Sequence, residues 1–439
     1  MQPALITPGG DVKRRTAAAA ALVLGAALVS GCSDDEPESD GPVELTFWTW
    51  VPNIENVVAV WNAANPDIQV TATEQGAGDD LVTQVLTAAQ AGNAPDLIQV
   101  EYQALPTLVS NDVLADLAPY VGDVASEFAE GLWQQVTLGT EAVYAIPQDA
   151  GPMMFYYRED LFEELGLEPP ATWDEFVEVA RTVREERPES YLTTFSSNDP
   201  GWYAGLSMQA GANWWSIDGD TWQVSINDPA TLRVAEFWGD LVAEDLVDDQ
   251  PMFTPEWNAA LNDGTQLAWV SAVWAPGVLA GNAADTAGLW RMAPLPQWRE
   301  GENVTGNWGG SSTGVSTDSA HAEAAAEFAV WLNTAPEAIE LLVTEGGLYP
   351  ASISGQQGPA LAQAPEFFSN QEDFYDLAQE IADTAAGFVW GPNVNVTYSA
   401  YSDLFGQAIE NQSSFTEVVE QMQQITVEDM QRQGFNVAG

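Results

Sequence analysis

The chain has 439 residues, of which 46% are hydrophobic and 10% aromatic, so it is long enough to bury the cores of two or three globular domains. Eleven Lys and Arg residues stand against 65 Asp and Glu residues, which gives a formal net charge of −54. A surface this acidic repels nucleic acid and anionic lipid head groups, and both are therefore poor partner candidates. The single cysteine excludes an internal disulfide.

The first 31 residues have the pattern of an export signal. A basic triplet at 13–15 precedes an Ala-rich apolar run over 16–29, which is too short for a bilayer span of roughly 20 residues. The run leads into LVSGC at 28–32, which resembles the lipobox of bacterial lipoproteins. That resemblance implies a signal peptide over 1–31 and a lipid on Cys32 that anchors the mature chain to the outer face of the cytoplasmic membrane. The alternative is an ordinary secretory signal or an uncleaved anchor.

Without residues 1–31 the chain becomes more acidic still. The three cations of the signal and one aspartate are lost, leaving 11 − 3 = 8 cationic and 65 − 1 = 64 acidic side chains, a net charge of −56 with no lysine. The acidic segment 32–43 is predicted to be a flexible tether. We interpret the acidity as a solvated surface suited to a salty exterior, and the alternative is an acidic site for cationic ligands.

Strands and helices alternate at the start of the mature chain. The sequence predicts strands over 44–50, 68–74 and 97–102, with helices over 53–64 and 79–91 between them. This alternation favours a parallel, doubly wound α/β sheet, in which ligands bind beyond the carboxyl ends of the strands. The residues predicted at that edge are Trp48, Trp50, Glu74, Glu101 and Tyr102.

The segment 144–166 predicts a crossover between two lobes. It contains an apolar strand, a break at 148–152 that carries Asp149, a second strand and a helix. Thr172 and Glu175 then form a capping box for the next helix. A carboxylate at the crossover would lie in the middle of an interlobe cleft, and the alternative is that Asp149 caps a turn.

The remaining chain predicts a second lobe and two return crossings. Helices are expected over 173–186 and 231–244, and the stretch 198–219 is rich in aromatic residues and glycine. The return crossings are expected at 289–298 and 333–336, where Thr334 and Glu337 suggest another capping box.

Two segments carry a resemblance to a known family. The pattern IP-D-GP---YYR-DLF--LG---P-TW-EF over 146–176, and GNAPDLIQVEYQALPTLVSNDVLADL over 92–117, resemble family 1 of the extracellular solute-binding proteins of ABC importers, in its sugar-binding branch. The resemblance implies a two-lobed, periplasmic-binding-protein-like α/β fold, with a sheet flanked by helices in each lobe and several hinge crossings. The lobes it implies are 44–148 plus 295–335, and 149–294 plus 336–439.

The same resemblance implies a ligand and a partner. It predicts a monomer without cofactor that carries a neutral oligosaccharide or similar polyol to an ABC permease. Aromatic rings stack on the apolar faces of sugars, while carboxylates and amides bond the hydroxyls. Besides the strand-end residues above, the candidate ligand contacts are Asp149, Trp202, Trp214, Trp215, Trp274, Trp308, Gly309 and Trp390. For each tryptophan the alternative is that it fills the core.

Enzymatic interpretations have weak support in the sequence. Residues 310–314 match the G-x-S-x-G nucleophile elbow, but the only histidine, His321, follows too closely for the hydrolase order of Ser, acid and His. No metal site is expected, since clustered His or Cys residues are lacking. Two alternatives remain open, a secreted carbohydrate-active hydrolase with paired carboxylates and the same fold binding a polyamine or quaternary ammonium ion.

Overall fold

The computed structural model describes residues 41–219 and 221–438, and the chain from Pro42 onward is one compact unit. The predicted signal peptide, Cys32 and most of the predicted tether lie outside the described residues. The strands are β1 (Val43–Thr49), β2 (Ile68–Glu74), β3 (Leu97–Glu101), β4 (Ala145–Arg158), β5 (Trp215–Asp218), β6 (Thr221–Val224), β7 (Ala268–Ala272), β8 (Trp290–Ala293), β9 (Asn307–Val315) and β10 (Val437–Ala438).

The helices cover the sheets and form much of the second lobe. They are α1 (Ile54–Ala64), α2 (Asp79–Gln90), α3 (Leu105–Ser110), α4 (Glu130–Thr137), α5 (Glu159–Leu165), α6 (Trp173–Glu186), α7 (Pro200–Gln209), α8 (Pro229–Ala243), α9 (Pro255–Asp263), α10 (Ala275–Asn282), α11 (Ala322–Thr334), α12 (Pro336–Thr344), α13 (Ile353–Gln356), α14 (Phe374–Ala382), α15 (Val394–Asn411) and α16 (Phe415–Gln433).

The main sheet has the order β2-β1-β3-β9-β4-β7, and β8 also pairs with β4. Strand β1 runs parallel to β2 and β3, as the alternation of strands and helices predicts. The prediction of an entirely parallel sheet is wrong beyond β3, because β9 enters between β3 and β4 and runs antiparallel to both. Parallel neighbours such as β1 and β2 are joined by a helical crossover. Strand β9 instead returns from the second lobe, so its connection does not require it to run parallel to β3.

Strand β4 is fourteen residues long and joins the two lobes. Its first half pairs with β9, and its second half, from Met153, pairs with β7 and β8. The predicted break at 148–152 is therefore not a turn but two register shifts within one continuous strand. A Cβ atom on Gly151 would lie 2.2 Å from the carbonyl oxygen of Trp308, so glycine is needed where the two strands approach each other.

The buried side chains form a core on each side of the middle of β4. The first lobe has a core on both faces of its sheet, since Leu97 packs in one cluster and its neighbour Ile98 in another. A larger cluster, which includes Phe155 and Trp173, fills the second lobe. The predicted architecture, two lobes built from sheets flanked by helices, is confirmed.

The predicted lobe boundaries remain a prediction. Leu295 packs in the core of the second lobe, although the prediction assigns it to the first. Helix α12 contributes Leu342 to the core of the first lobe and Val343 to that of the second. Side chains near the return segments are thus shared between the two cores.

The two predicted capping boxes differ in outcome. Thr172 Oγ1 accepts a hydrogen bond from the Glu175 N–H at 3.2 Å, and Glu175 accepts one from the Ala171 N–H at 2.8 Å, so the first box caps α6 with its carboxylate reaching one residue further back than expected. The second box is wrong. Thr334 ends α11 and donates its hydroxyl to the Val330 carbonyl, because the N-cap position of α12 is taken by Ala335.

Candidate ligand-binding cleft

A cleft of about 580 Å³ lies at the carboxyl end of β3, between segments of both lobes. The first lobe contributes residues that follow β2 and end or follow β3, and β9 contributes Trp308 and Gly309. The second lobe contributes the start of α7 and one face of α15. The lining residues are Gly78, Glu101, Gln103, Asn198, Asp199, Pro200, Gly201, Trp308, Gly309, Tyr398, Ser399, Ser402 and Asp403. The cleft thus lies where the strand-end rule places a ligand.

Aromatic rings form one wall of the cleft. Trp308 is 8% exposed and lines the cleft directly. Trp274 supports it from behind, with its indole N–H donating to the Trp308 carbonyl at 3.0 Å and its ring edge-to-face at 4.7 Å. Gly201 lets α7 approach this indole, since a Cβ there would stand 3.1 Å from the Trp308 ring. The Trp308 ring is therefore held in a fixed orientation.

Phe253 extends this aromatic group and was missed by the sequence analysis. Its ring centroid lies 6.0 Å from that of Trp308, and the residue is 43% exposed. Its backbone has φ +65°, a left-handed conformation that is uncommon for a bulky residue. The sequence signals only that Thr254-Pro255 begin a helix, which does not show that the preceding ring stays exposed.

Asp149 ties the strands together at the crossover. Its carboxylate accepts a hydrogen bond from Ser311, and its backbone carbonyl accepts one from the Tyr102 hydroxyl at 3.0 Å. Ser311 in turn accepts from Gln99 at 2.9 Å, and Gln99 accepts from the Thr49 hydroxyl at 2.6 Å. This chain of bonds connects β1, β3, β9 and β4. Asp149 is 8% exposed and is not among the residues that line the cleft.

Burial also changes the ionisation of Asp149 and of Asp199. Loss of hydration raises the pKa of Asp149 from 3.8 to about 6, although the hydrogen bonds from Ser311 act in the opposite direction. Burial likewise raises the pKa of Asp199, which lines the cleft, to about 6. The Ser196 hydroxyl donates to Asp199 at 2.6 Å and fixes its orientation.

Among the predicted site residues, Glu101, Trp308 and Gly309 line the cleft. Tyr102 is buried behind it, and Trp50 borders a narrow pocket that shares Glu101 with the cleft. Three others do not line the cleft. Trp48 packs on the core of the first lobe, Glu74 is exposed at the end of β2, and Trp390 donates its N–H to Gln135 at 3.2 Å.

Three predicted tryptophans belong to the core of the second lobe, contrary to the prediction that they face the ligand. Trp202, Trp214 and Trp215 are fully buried. The Trp202 indole donates to the Val270 carbonyl at 3.0 Å, and the Trp214 indole donates to the Thr231 hydroxyl at 2.9 Å. Because α7 and β5 pack inside the second lobe, these rings have no face open to a solute.

Sequence reasoning also missed the polar residues of the second lobe. Asn198 and Asp199 precede α7, and Ser399, Ser402 and Asp403 lie along α15. Nothing in their local sequence marks them, since they meet only when α7 and α15 pack side by side.

The serine of the predicted elbow lies inside a strand. Ser312 is fully buried in β9 and donates to the Val100 carbonyl at 3.0 Å, so no solute can reach its hydroxyl. Within residues 41–219 and 221–438, no three His, Cys, Asp or Glu side chains are grouped so as to hold a metal ion. In the same ranges no helix is both long and apolar enough to cross a bilayer.

Known proteins resemble the chain over most of its length. It is 25% identical over 406 residues to an arabinooligosaccharide-binding protein of Halalkalibacterium halodurans, covering 89% of this chain and 90% of that protein. It is 30% identical over 250 residues to an uncharacterised lipoprotein of Streptomyces antibioticus, covering 54% and 52%. The galacto-N-biose/lacto-N-biose I-binding protein of an ABC transporter from Bifidobacterium longum, solved with lacto-N-biose, has a TM-score of 0.83 at 26% identity and covers 91% of this chain and 100% of that one.

The match to a family model is consistent with the fold and the interlobe cleft. Residues 49–339 match the model described as bacterial extracellular solute-binding protein, which is well over half of the chain. The chain therefore belongs to the bacterial extracellular solute-binding protein family.

Proposed function

We propose that the protein captures a neutral oligosaccharide, or a similar polyol, in the cleft between its lobes and delivers it to the transmembrane subunits of an ABC importer. The observation that carries this proposal is the lining of the cleft, which combines the Trp308 indole with hydrogen-bonding groups from both lobes. The relatives support it, since one is named for arabinooligosaccharides and another was solved with lacto-N-biose.

The two kinds of lining group suit the two kinds of sugar surface. The indole of Trp308 offers an apolar face for the C–H side of a pyranose or furanose ring. Glu101 and Asp199 offer acceptors for hydroxyl groups, while Gln103 and Asn198 offer both donors and acceptors. Because these groups come from both lobes, a bound sugar bridges the lobes and stabilises a closed form, which the permease would recognise.

A ligand screen tests this function. Purified protein is melted with arabinooligosaccharides, lacto-N-biose, other neutral oligosaccharides, polyamines and amino acids. A saccharide that binds only the folded state raises the melting temperature through a stabilisation of RT ln(1 + [L]/Kd). We expect at least one neutral oligosaccharide to do so, and stabilisation by polyamines alone would contradict the proposal.

The same samples test the enzymatic alternative. After long incubation, the bound oligosaccharide is analysed for new reducing ends. We expect the saccharide to remain intact, and a steady release of reducing ends would identify a hydrolase instead.

We also propose that Cys32 carries a lipid that holds the protein on the outer face of the membrane. The support is the lipobox-like LVSGC sequence and the lipoprotein relative. Cys32→Ser should release the protein from membranes into the medium. Mass spectrometry that finds unmodified Cys32 still joined to residues 1–31 in the wild type would contradict the lipid anchor.

A further inference from the structure

All the charged residues that line the cleft are negative. Glu101 enters it from the first lobe, and Asp199 and Asp403 enter it from the second. The other lining residues are neutral, and none of the thirteen is Lys, Arg or His.

The part of the first lobe that precedes the crossover has no cation to bring to a ligand. Residues 41–148 contain no Lys, Arg or His at all. No change of side-chain rotamer within residues 41–148 can therefore place a positive charge next to a bound molecule. This part of the chain instead carries Glu101, whose carboxylate accepts a hydrogen bond from Gln103 at 2.8 Å.

The arginines that follow residue 148 already have partners elsewhere. Arg233 lies over the Trp298 ring at 4.4 Å and donates to the Ala210 carbonyl at 2.9 Å. The others form ion pairs with carboxylates at 2.5–3.2 Å, namely Arg158 with Asp160, Arg181 with Glu178 and Glu244, Arg184 with Asp245, Arg187 with Glu164, Arg291 with Glu159, Arg299 with Glu302, and Arg432 with Asp429.

We propose that this cleft selects saccharides by charge, admitting neutral ones and rejecting those that carry a carboxylate or a phosphate. The inference rests on the proposed function, because it specifies the class of sugar bound at the same site. An anion in the cleft would lose part of its hydration and would face Glu101, Asp199 and Asp403 without a compensating cation. The repulsion of one carboxylate a few ångströms away corresponds to roughly fivefold in affinity even in water-like surroundings, and to more where water is excluded.

The test compares one saccharide in three chemical forms. The probes are the best neutral oligosaccharide of the screen, the same molecule with its primary hydroxyls oxidised to carboxylates, and the methyl ester of that acid. Calorimetry at low salt should show the acid at least about tenfold weaker than the parent and the ester close to the parent. At 1 M sodium chloride the difference in affinity between the acid and the parent saccharide should become smaller.

Substitutions that remove one negative charge each identify the residues responsible for the selection by charge. Asp403→Asn and Glu101→Gln should each reduce the discrimination between parent and acid. Glu410→Gln is the matched control, because Glu410 is an exposed acid on α15 that does not line the cleft, and it should leave the discrimination unchanged.

The outcomes separate this inference from the proposed function. If parent and acid bind equally, or if the ester binds as weakly as the acid, selection by charge is wrong although saccharide binding stands. If no neutral oligosaccharide binds at all, the proposed function is wrong and the charge selection fails with it.

Discussion

At Asp149, burial and hydrogen bonding act on one carboxyl group in opposite directions. Burial disfavours the charged form and dominates, so the pKa rises from 3.8 to about 6 despite the bonds from Ser311. Between about pH 4 and pH 6, the carboxyl group of Asp149 consequently binds more protons in the folded state than in the unfolded state. A group of this kind stabilises the fold below its unfolded pKa, and that stabilisation is lost as the pH rises through its folded pKa.

The substitution Asp149→Asn should therefore alter the pH dependence of stability. The wild type should lose stability between pH 4 and pH 6, and the variant should lose less because residue 149 no longer titrates. Relative to the wild type, the variant should gain on the order of 2–3 kcal/mol in free energy of unfolding between pH 4 and pH 7. Urea denaturation at several pH values measures this difference.

Asp199 does not disturb the comparison between wild type and Asp149→Asn. Its pKa is also raised to about 6 by burial, but it contributes equally to both proteins and cancels in the difference. If the free energies of unfolding of wild type and Asp149→Asn differ by a constant amount from pH 4 to pH 7, the pKa of Asp149 is not raised in the folded protein.

Phe253 offers a second test with single residues. Phe253→Ala should weaken oligosaccharide binding roughly tenfold, because it removes an exposed apolar face beside Trp308. Its effect on the melting temperature without ligand should be small, since the strained backbone costs Phe and Ala alike. Calorimetry with the best ligand of the screen measures the first effect, and thermal melts measure the second.

Tyr120→Ala is the matched aromatic control. Tyr120 is 46% exposed, which is close to the value for Phe253, but its ring does not lie beside Trp308 as that of Phe253 does. Unchanged affinity is expected for Tyr120→Ala. The same result for Phe253→Ala would remove that ring from the binding surface.

Strands β4 and β9 show how two elements make the connection between lobes. They pair across the crossover, and Gly151 allows the backbones to approach where a Cβ would lie 2.2 Å from an oxygen and 2.9 Å from a carbon of Trp308. Both atoms belong to the backbone, so they cannot move aside as the end of a flexible side chain can.

Gly151→Ala should therefore destabilise the protein by more than about 2 kcal/mol. Gly277→Ala, in α10, is the control, because a Cβ there meets open space and alanine is favoured over glycine in helices by about 0.5–1 kcal/mol. Denaturant unfolding measures both. Equal stability of the two variants would mean that β4 and β9 can separate at little cost.

The elements that follow from local pattern were predicted well from the sequence. The strands and helices of residues 43–101 lie within one residue of their predicted ends, because alternation and helical periodicity are local properties. The position of the cleft at the end of β3 followed from the rule for strand ends. The antiparallel β9 could not be predicted, because its place between β3 and β4 depends on contacts over about 200 residues.

The composition of the site followed from the sequence only in part. Glu101, Trp308 and Gly309 line the cleft, while Trp202, Trp214 and Trp215 are core residues with the same local appearance. An indole in a core and an indole in a cleft bury similar apolar area, so a run of aromatic residues and glycine does not distinguish them. Asp149 was predicted as a ligand contact because it lies at the crossover between the lobes, but it does not line the cleft, and its strand continues through two register shifts.

The acidity of the whole molecule should make its stability depend on salt. With 8 cationic and 64 acidic side chains after residue 31, most carboxylates have no cation to pair with. Repulsion between like charges acts over about 10 Å at 0.1 M salt and about 3 Å at 1 M. The melting temperature should rise when sodium chloride increases from low to molar concentration at pH 7. A flat or falling curve would show that the carboxylates are too widely spaced to repel each other.

The most direct test of the central claim is a crystal structure of the protein with the oligosaccharide that stabilises it best in the screen. The account predicts the sugar in the interlobe cleft, with one ring against Trp308 and its hydroxyls bonded by Glu101 and Asp199 from opposite lobes. A saccharide bound on the outer surface of either lobe, with the cleft holding only water, would contradict it.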